Sequence, residues 1–508
     1  MEIARTKIVS FDDFNAAIST RGKKSRVVQC HGVFDLLHIG HVRHFQQAKS
    51  YGDILAVTIT PDRHVNKGPN RPSFTEQLRA EAIAALDCVD YVIINSWPTA
   101  VEAIQQIKPN VYVKGSEYQD KNNDITAKIE EEMTAVQSVG GEIAFTDDIT
   151  FSSSSLINEH FSPFSAEVNT YLTEFKSRYS SKLIFDYLEN AKNLDVLIVG
   201  EAIIDIYHFS EVIGKAGKEP TLVAKHQSIE SYLGGSLALA NHLSDFCRTV
   251  TCLTYLGEKA EYEDFIRAGL KQNVKLVPVY KKNSPTIVKR RYLETYLRQK
   301  LFEVYEINDD FLDKDQQHVF RETLSPLLAS HDFTISADFG HGLLDEETVD
   351  VLMKEAKFLA VNAQSNAGNH GFNCISKYPK ADYVSIAGRE LQLNYRQRHF
   401  SVTEQLERLM RECDYKTVMI TNGRAGALSC KKNESIVEVP AFATQVVDRI
   451  GAGDAVLAIT SLLSYQNAPA ELIAFVGNVV GAEAVGIMGN KRYIEKIPLM
   501  KHISHLIK

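Results

Sequence analysis

Two short stretches hold residues whose types and spacing suit phosphate chemistry. In "VVQCHGVFDLLHIGHVRHF" (27–45), His38 and His41 stand three apart around Gly40, where an apolar strand gives way to a helix. That spacing puts both imidazoles on one side of a first helical turn, beside amides that lack intrahelical partners and carry partial positive charge. Such an end accepts phosphate, and an imidazole can donate to a phosphate oxygen whose charge grows during reaction. As a bare pattern, H-x-G-H fits an incidental surface pair equally well. In "VVDRIGAGDAVLAITSLL" (446–463), Gly451, Ala452 and Gly453 lead into Asp454 and an apolar helix. A glycine turn can point successive amides at a transferring phosphoryl group, with Asp454 placed to accept a proton from the attacking hydroxyl. The plainer alternative is a turn whose aspartate merely caps the helix.

Each stretch needs a parallel sheet behind it, and the rhythm of the chain supplies two. The runs "RVVQCHGVF", "DILAVTI", "YVIIN", "NVYV" and "EIAF" alternate with helical stretches such as "EQLRAEAIAALD", the pattern of strands with helices on both faces. A polar, aromatic-spotted helical stretch follows, and strands resume at "DVLIVGEAIIDIY", "TVTCLTYLG", "FTISADFG", "KFLAVNA", "ADYVSIAG" and "KTVMITNG". The reading is α/β throughout: a Rossmann-like domain over 1–162, a helical linker over 163–193 and a longer α/β domain over 194–508. A net charge of −8 gives no nucleic-acid footprint. Seven scattered cysteines without C-x-x-C spacing favour neither a disulfide framework nor zinc, and fit a reducing cytoplasm. No run approaches a membrane span, so no membrane partner is expected.

Residues 26–160 resemble the H-x-G-H cytidylyltransferase superfamily, above all the nucleotidyltransferase half of bacterial bifunctional heptose kinase/nucleotidyltransferases and the glycerol-3-phosphate cytidylyltransferases. The resemblance rests on "HGVFDLLHIGH", on "NKGPNRPSFTEQLRAE", on "VYVKGSEY" and on "FSSSSLI". It implies that His38 and His41 act at the nucleotide phosphates. Gly32, Phe34, Gly40, Lys67, Arg71, Arg79, Lys114, Gly115, Ser152, Ser153, Ser154 and Ser155 would line the nucleotide and phosphate site. The family's R-T-x-G-I-S-T run is replaced by "FTDDITFSSSS".

Residues 194–500 resemble the ribokinase-like sugar kinases, through "VLIVGEAIIDIY", "SYLGGSLALANHLSDF", "PTIVKRRY", "ADFGHGLL", "TNGRAGAL" and the G-A-G-D turn. The resemblance implies Asp454 as base, Gly451, Ala452 and Gly453 as the anion hole, and Thr421 and Gly423 on the nucleotide side. It places Asp205, Gly234, Gly235, Asn241 and Lys289 at the sugar, with Lys289, Arg290 or Arg291 meeting an existing sugar phosphate, and Glu390 acting indirectly on magnesium. The family's N-x-x-E is here "AGRE", with Ala387 in the asparagine position, and its D-T before the turn is Asp448-Arg449.

Together the halves imply a bifunctional enzyme, similar to the heptose enzymes with the domain order reversed. One half would phosphorylate a sugar or sugar phosphate with ATP; the other would transfer a nucleotidyl group from CTP or ATP to a sugar or polyol phosphate, with Mg2+ and release of pyrophosphate. The kinase family implies a homodimer through the second domain. Two alternatives stay open: a single-activity transferase whose kinase-like half only binds sugar or dimerises, and a non-enzymatic ligand-sensing scaffold. Ala387 favours the first, and the intact H-x-G-H and G-A-G-D motifs weigh against the second.

Overall fold

Val27–Gly32 (β1) is buried along its first four residues, and Ile54–Ile59 (β2) along its whole length; only a sheet covered on both faces hides such strands. The computed structural model describes residues 5–20, 25–65, 71–116, 128–146, 163–296, 298–397, 399 and 401–507. In it β1 and β2 join Tyr91–Ile94 (β3), Val111–Gly115 (β4) and Glu142–Thr146 (β5) in a five-stranded sheet of order β3-β2-β1-β4-β5. Every pairing is parallel. Val28, Cys30, Val57 and Val113 pack with Phe45 and Ala80, while Val27, Ile54 and Ala56 pack with Phe14 and Ile107. The strand order reverses between β1 and β4, so the loops leaving their carboxyl ends diverge and open a crevice there.

The second body is built on a nine-stranded sheet. Asp195–Gly200 (β6), Thr249–Gly257 (β9), Val274–Lys281 (β10), Phe333–Asp338 (β13), Leu359–Ala363 (β14), Lys380–Ala387 (β15), Asp414–Thr421 (β16), Ala427–Lys431 (β17) and Val437–Val439 (β18) run in the order β10-β9-β6-β13-β14-β15-β16-β17-β18. Only β17 pairs antiparallel with its neighbours. Here the order reverses between β6 and β13. A separate four-stranded sheet, β12-β11-β7-β8, is formed by Ala202–Lys215 (β7), Leu222–Gly235 (β8), Ile287–Glu294 (β11) and Lys300–Glu306 (β12).

The structure differs from the sequence expectation in three places. "DVLIVGEAIIDIY" is two strands in two sheets, broken at Glu201. The expected linker belongs to the second body. Its helices Ala166–Arg178 and Ser181–Asn190 bury Val168, Leu172, Phe175, Ile184 and Leu188, Phe175 stacks on Phe475 at 4.0 Å, and Arg178 clasps Glu471 through two hydrogen bonds of 2.6 and 2.7 Å. The stripe of apolar side chains at helical spacing is a packing face, which its polar, charged remainder masked. Finally, the two compact units are Met1–Ser165 with Ile497–Lys508, and Ala166–Lys496, so the chain's last helical residues leave the body that precedes them. Among the described residues no helix is long and apolar enough to cross a membrane.

Candidate active sites

In the first unit the turn after β1 is shaped by packing. Phe34 adopts a left-handed φ of 49°, and its ring lies so close to Gly32 that a Cβ there would meet it at 2.9 Å. That ring stands edge-on to His41 at 5.2 Å and to Phe45 at 5.0 Å. His38 is the N-cap of the helix Ile39–Lys49, its Nδ1 accepting the Gly40 amide at 3.1 Å. The His38 and His41 rings stack at 3.9 Å. Burial holds the His38 pKa below the ordinary histidine value, so the ring is neutral at neutral pH. Because Nδ1 accepts, the proton sits on Nε2. That nitrogen is buried and has no hydrogen-bond partner among the described residues, which leaves it a donor able to meet an anion.

The other predicted residues divide. Asp35, buried in the same turn, accepts the amides of Ser73 at 2.6 Å and Phe74 at 3.3 Å and pairs with Arg71 at 3.0 Å. It thereby ties Arg71 to the His38 turn. Arg71 also donates to Nε2 of His505 at 3.0 Å. Arg79 is a correction. Its guanidinium is fully buried and donates to the carbonyls of Phe74, Val33 and Thr60 and to Asp62, so it clamps the loops and presents no face to a phosphate. Lys114, at the end of β4 with Gly115, pairs with Glu132 at 2.8 Å. Lys67 and Ser152, Ser153, Ser154 and Ser155 lie outside the described residues. Gly40 serves through its amide, which caps onto His38. Two more histidines line this sheet as neutral struts: His31 meets Thr58 at 2.9 Å and burial takes its pKa down to about 3, and His44 meets Thr146 at 2.9 Å with a value near 4 for the same reason.

In the second unit Gly451 turns left-handed at φ 79°, with Asn490 filling the space a Cβ would need, and caps the helix Ala452–Tyr465. Beside Gly453 the nearest atom to a built Cβ is Gln364 Nε2 at 3.9 Å, and the Ala452 amide bonds back to the Arg449 carbonyl at 3.4 Å. Asp454 Oδ1 accepts from Gln364 at 2.9 Å. Burial, then the charge of Asp205, pushes the Asp454 pKa up to about 7. Asp205 sits on β7 in register with Lys289 on β11 and is bonded by Arg291. A Cβ on Gly234 would fall 2.3 Å from Asp205 Oδ2, so the glycine makes room for that carboxylate; Gly235 holds φ 57° at the end of β8. Lys289 is buried over the Tyr305 ring at 5.1 Å with no hydrogen-bond partner among the described residues. Burial lowers its pKa, and Asp205 partly offsets this. Of the neighbouring cations, Arg290 is bound to Glu306 and Arg291 to Asp205 and Glu303, which leaves Lys289 as the ammonium able to take a new anion.

Asn241 is a second correction: its amide donates to Gly269 O and accepts from Lys271 N, both at 3.0 Å, bracing a turn. Glu390 accepts the amides of Ser365 at 3.1 Å and Ala387 at 2.7 Å. Its carboxylate is a backbone brace at the Ala387 position, and these bonds do not fit a direct magnesium ligand. Thr421 and Gly423 lie at the carboxyl end of β16, beside the Ala387 end of β15. Sequence reading missed Gln364 as the partner of Asp454, although its amide-rich loop is conspicuous. It also missed Glu201, which accepts the Phe339 and His341 amides at 3.0 Å each and sets the "DFGHG" loop across the β6–β13 crevice. Burial and Asp338 push the Glu201 pKa up to about 7. The signal for Glu201 was a carboxylate inside an apolar run.

Residues 193–496, more than half of the chain, match the pfkB family carbohydrate kinase model. The chain belongs to the pfkB carbohydrate kinase family. Residues 30–184 match the cytidylyltransferase-like family, so the pfkB domain here follows a cytidylyltransferase-like one. The bifunctional protein HldE of Geobacter metallireducens is 48% identical over 104 residues, 20% of this chain and 21% of that protein. HldE of Sulfurimonas denitrificans is 40% identical over 139 residues, 27% of this chain and 29% of that protein. These matches thus span less than a third of the relatives' own length. The crystal structure of phosphofructokinase-2 from Escherichia coli in complex with potassium superposes with a TM-score of 0.50 at 15% identity, over 62% of this chain and all of that one. At that identity the likeness is one of fold.

Proposed function

We propose that the protein is a bifunctional enzyme of nucleotide-sugar synthesis, with the transferase preceding the kinase, the reverse of the order in the heptose enzymes it resembles. The observation that carries the reading is that each unit presents a group fit for phosphate chemistry at the N-terminus of a helix: the Nε2 donor of His38 in one and Asp454 in the other.

In the kinase half, a sugar hydroxyl attacks the γ-phosphorus of magnesium-bound ATP, the bond to the β-phosphate oxygen breaks and ADP leaves. Asp454 takes the hydroxyl proton, oriented by the Gln364 bond. Amides of the Gly451–Gly453 turn stabilise charge on the transferring group, and Asp205 with Lys289, in register on neighbouring strands, positions the sugar. Magnesium bound to the nucleotide phosphates would supply charge neutralisation at the transferring group. In the transferase half, an oxygen of a sugar or polyol phosphate attacks the α-phosphorus of CTP or ATP and pyrophosphate leaves. His38, with His41 stacked on it, donates to the phosphates, and Arg71 adds positive charge at the turn.

A homodimer through the second unit is supported by the small sheet, which exposes Ile213, Leu222, Ile229, Phe302 and Val304. A cytoplasmic setting suits seven free thiols.

The test is a grid of four nucleoside triphosphates against sugar and polyol phosphates, read by pyrophosphate release with His41→Ala as control, beside a sugar panel read by ADP formation with Asp454→Asn as control. Release and ADP formation that disappear in the respective variants support both halves. Pyrophosphate release without any sugar-dependent ADP formation would leave a single-activity transferase, and silence in both would sink the reading.

A further inference from the structure

Lys300 opens β12, one of the two edge strands of the small sheet. Its Nζ donates to Oδ1 of Asp448 at 2.6 Å. Asp448 precedes the glycine turn and its side chain is 2% exposed, against 32% for Lys300. The same carboxylate accepts the Arg449 and Ile450 amides on Oδ1, at 2.8 and 3.3 Å. On Oδ2 it accepts the Tyr207 hydroxyl at 2.7 Å and the Gly489 amide at 3.1 Å. One buried carboxylate therefore sets the backbone that leads into Gly451, and two side chains of the small sheet hold it: Tyr207 from β7 and Lys300 from β12. That sheet also carries Asp205 and Lys289. The strands that face the sugar and the turn that faces the phosphoryl group meet at Asp448.

We propose that Lys300 is a positioning residue for phosphoryl transfer, tying β12 through Asp448 to the 449–453 turn so that the turn's amides are aligned when the small sheet lies against it. The proposal deepens the kinase reading and rests on it. A charged hydrogen bond to a buried carboxylate is short and directional, and a misplacement of about 1 Å at a reacting group costs about a hundredfold in rate. Tyr207 and Gly489 hold only Oδ2; without Lys300 the oxygen that orders the Arg449 and Ile450 amides loses its charged partner.

The experiment compares wild type with Lys300→Met, Lys300→Ala and Lys300→Arg. The first readout needs no turnover: hydrogen exchange of the 449–453 amides is expected to quicken in Lys300→Met and to stay near wild type in Lys300→Arg. The second is sugar-dependent ADP formation, where Lys300→Met is expected to lower kcat by about a hundredfold with a smaller change in KM for ATP, Lys300→Arg to retain most activity, and methylammonium to restore part of the rate of Lys300→Ala. Unchanged exchange at the turn, or a lowered Tm with kcat intact, would overturn the proposal and leave Lys300 a plain structural ion pair. If wild type itself forms no ADP with any sugar, the kinase reading falls, and the exchange comparison still decides whether Lys300 orders the turn.

Discussion

Arg71 and His505, 434 positions apart, share a hydrogen bond of 3.0 Å from the guanidinium to Nε2. Arginine only donates, so His505 accepts there as a neutral ring with its proton on Nδ1. The other side of the guanidinium meets Asp35, inside the turn that carries His38. The last helix of the chain thus reaches a residue of the candidate nucleotide site, within one compact unit.

His505→Ala is expected to raise KM for the nucleoside triphosphate in pyrophosphate release by about tenfold, the equivalent of one modest hydrogen bond, whereas His505→Gln, which keeps an acceptor, should stay closer to wild type. Steady-state kinetics on both variants checks this; equal effects would detach the tail from Arg71 positioning.

Arg79→Met should cost the first unit about 3 kcal/mol or more, because three carbonyls and the Asp62 carboxylate lose their donor together. Thermal unfolding reads it out. A variant that folded normally but bound nucleotide poorly would return Arg79 to the phosphate site.

The Asp454 carboxyl has a folded-state pKa near 7, above its ordinary 3.8. The folded protein therefore holds the extra proton between those values, and the group's contribution to stability declines as pH rises through about 7. Asp454→Asn is expected to match wild type below pH 4 and to be more stable than it at pH 8, by on the order of 1–4 kcal/mol. Over the same range kcat/KM for ADP formation by wild type should climb as the base ionises, and the variant should lose about 10²–10⁴-fold. A flat Tm difference across pH would contradict the burial argument.

Gly234→Ala places a methyl where only 2.3 Å separates a built Cβ from Asp205 Oδ2. The carboxylate must swing away from Arg291, and KM for the sugar should rise about tenfold or more with the fold retained. Sugar titrations of ADP formation measure it, and an unchanged KM would set Asp205 outside the sugar site.

Much of this was legible in the chain. Short apolar runs located the five strands of the first sheet and the central strands of the larger one, because a strand buried on both faces leaves little other composition available to it, while β10, β17 and β18 towards the edges of the larger sheet were not picked out. The sites showed where small residues and chemical ones sit together at strand-to-helix turns: His38 and His41 around Gly40, and Gly451 to Asp454. At Gly451 the left-handed φ of 79° itself calls for glycine.

What the sequence could not decide was which polar side chains are free to act. Arg79 and Asn241 carry the right chemistry at plausible positions, yet Arg79 is held by three carbonyls and the Asp62 carboxylate, and Asn241 by two backbone groups. Lys289 stands beside Arg290 and Arg291 in one run, and only their cross-strand partners single it out. Gln364, Glu201 and Lys300 reach the second site from strands and loops distant in sequence. Residue type and spacing determine what chemistry a turn can offer. Hydrogen-bond saturation and burial depend on partners tens to hundreds of residues away, and the tertiary fold alone brings those together.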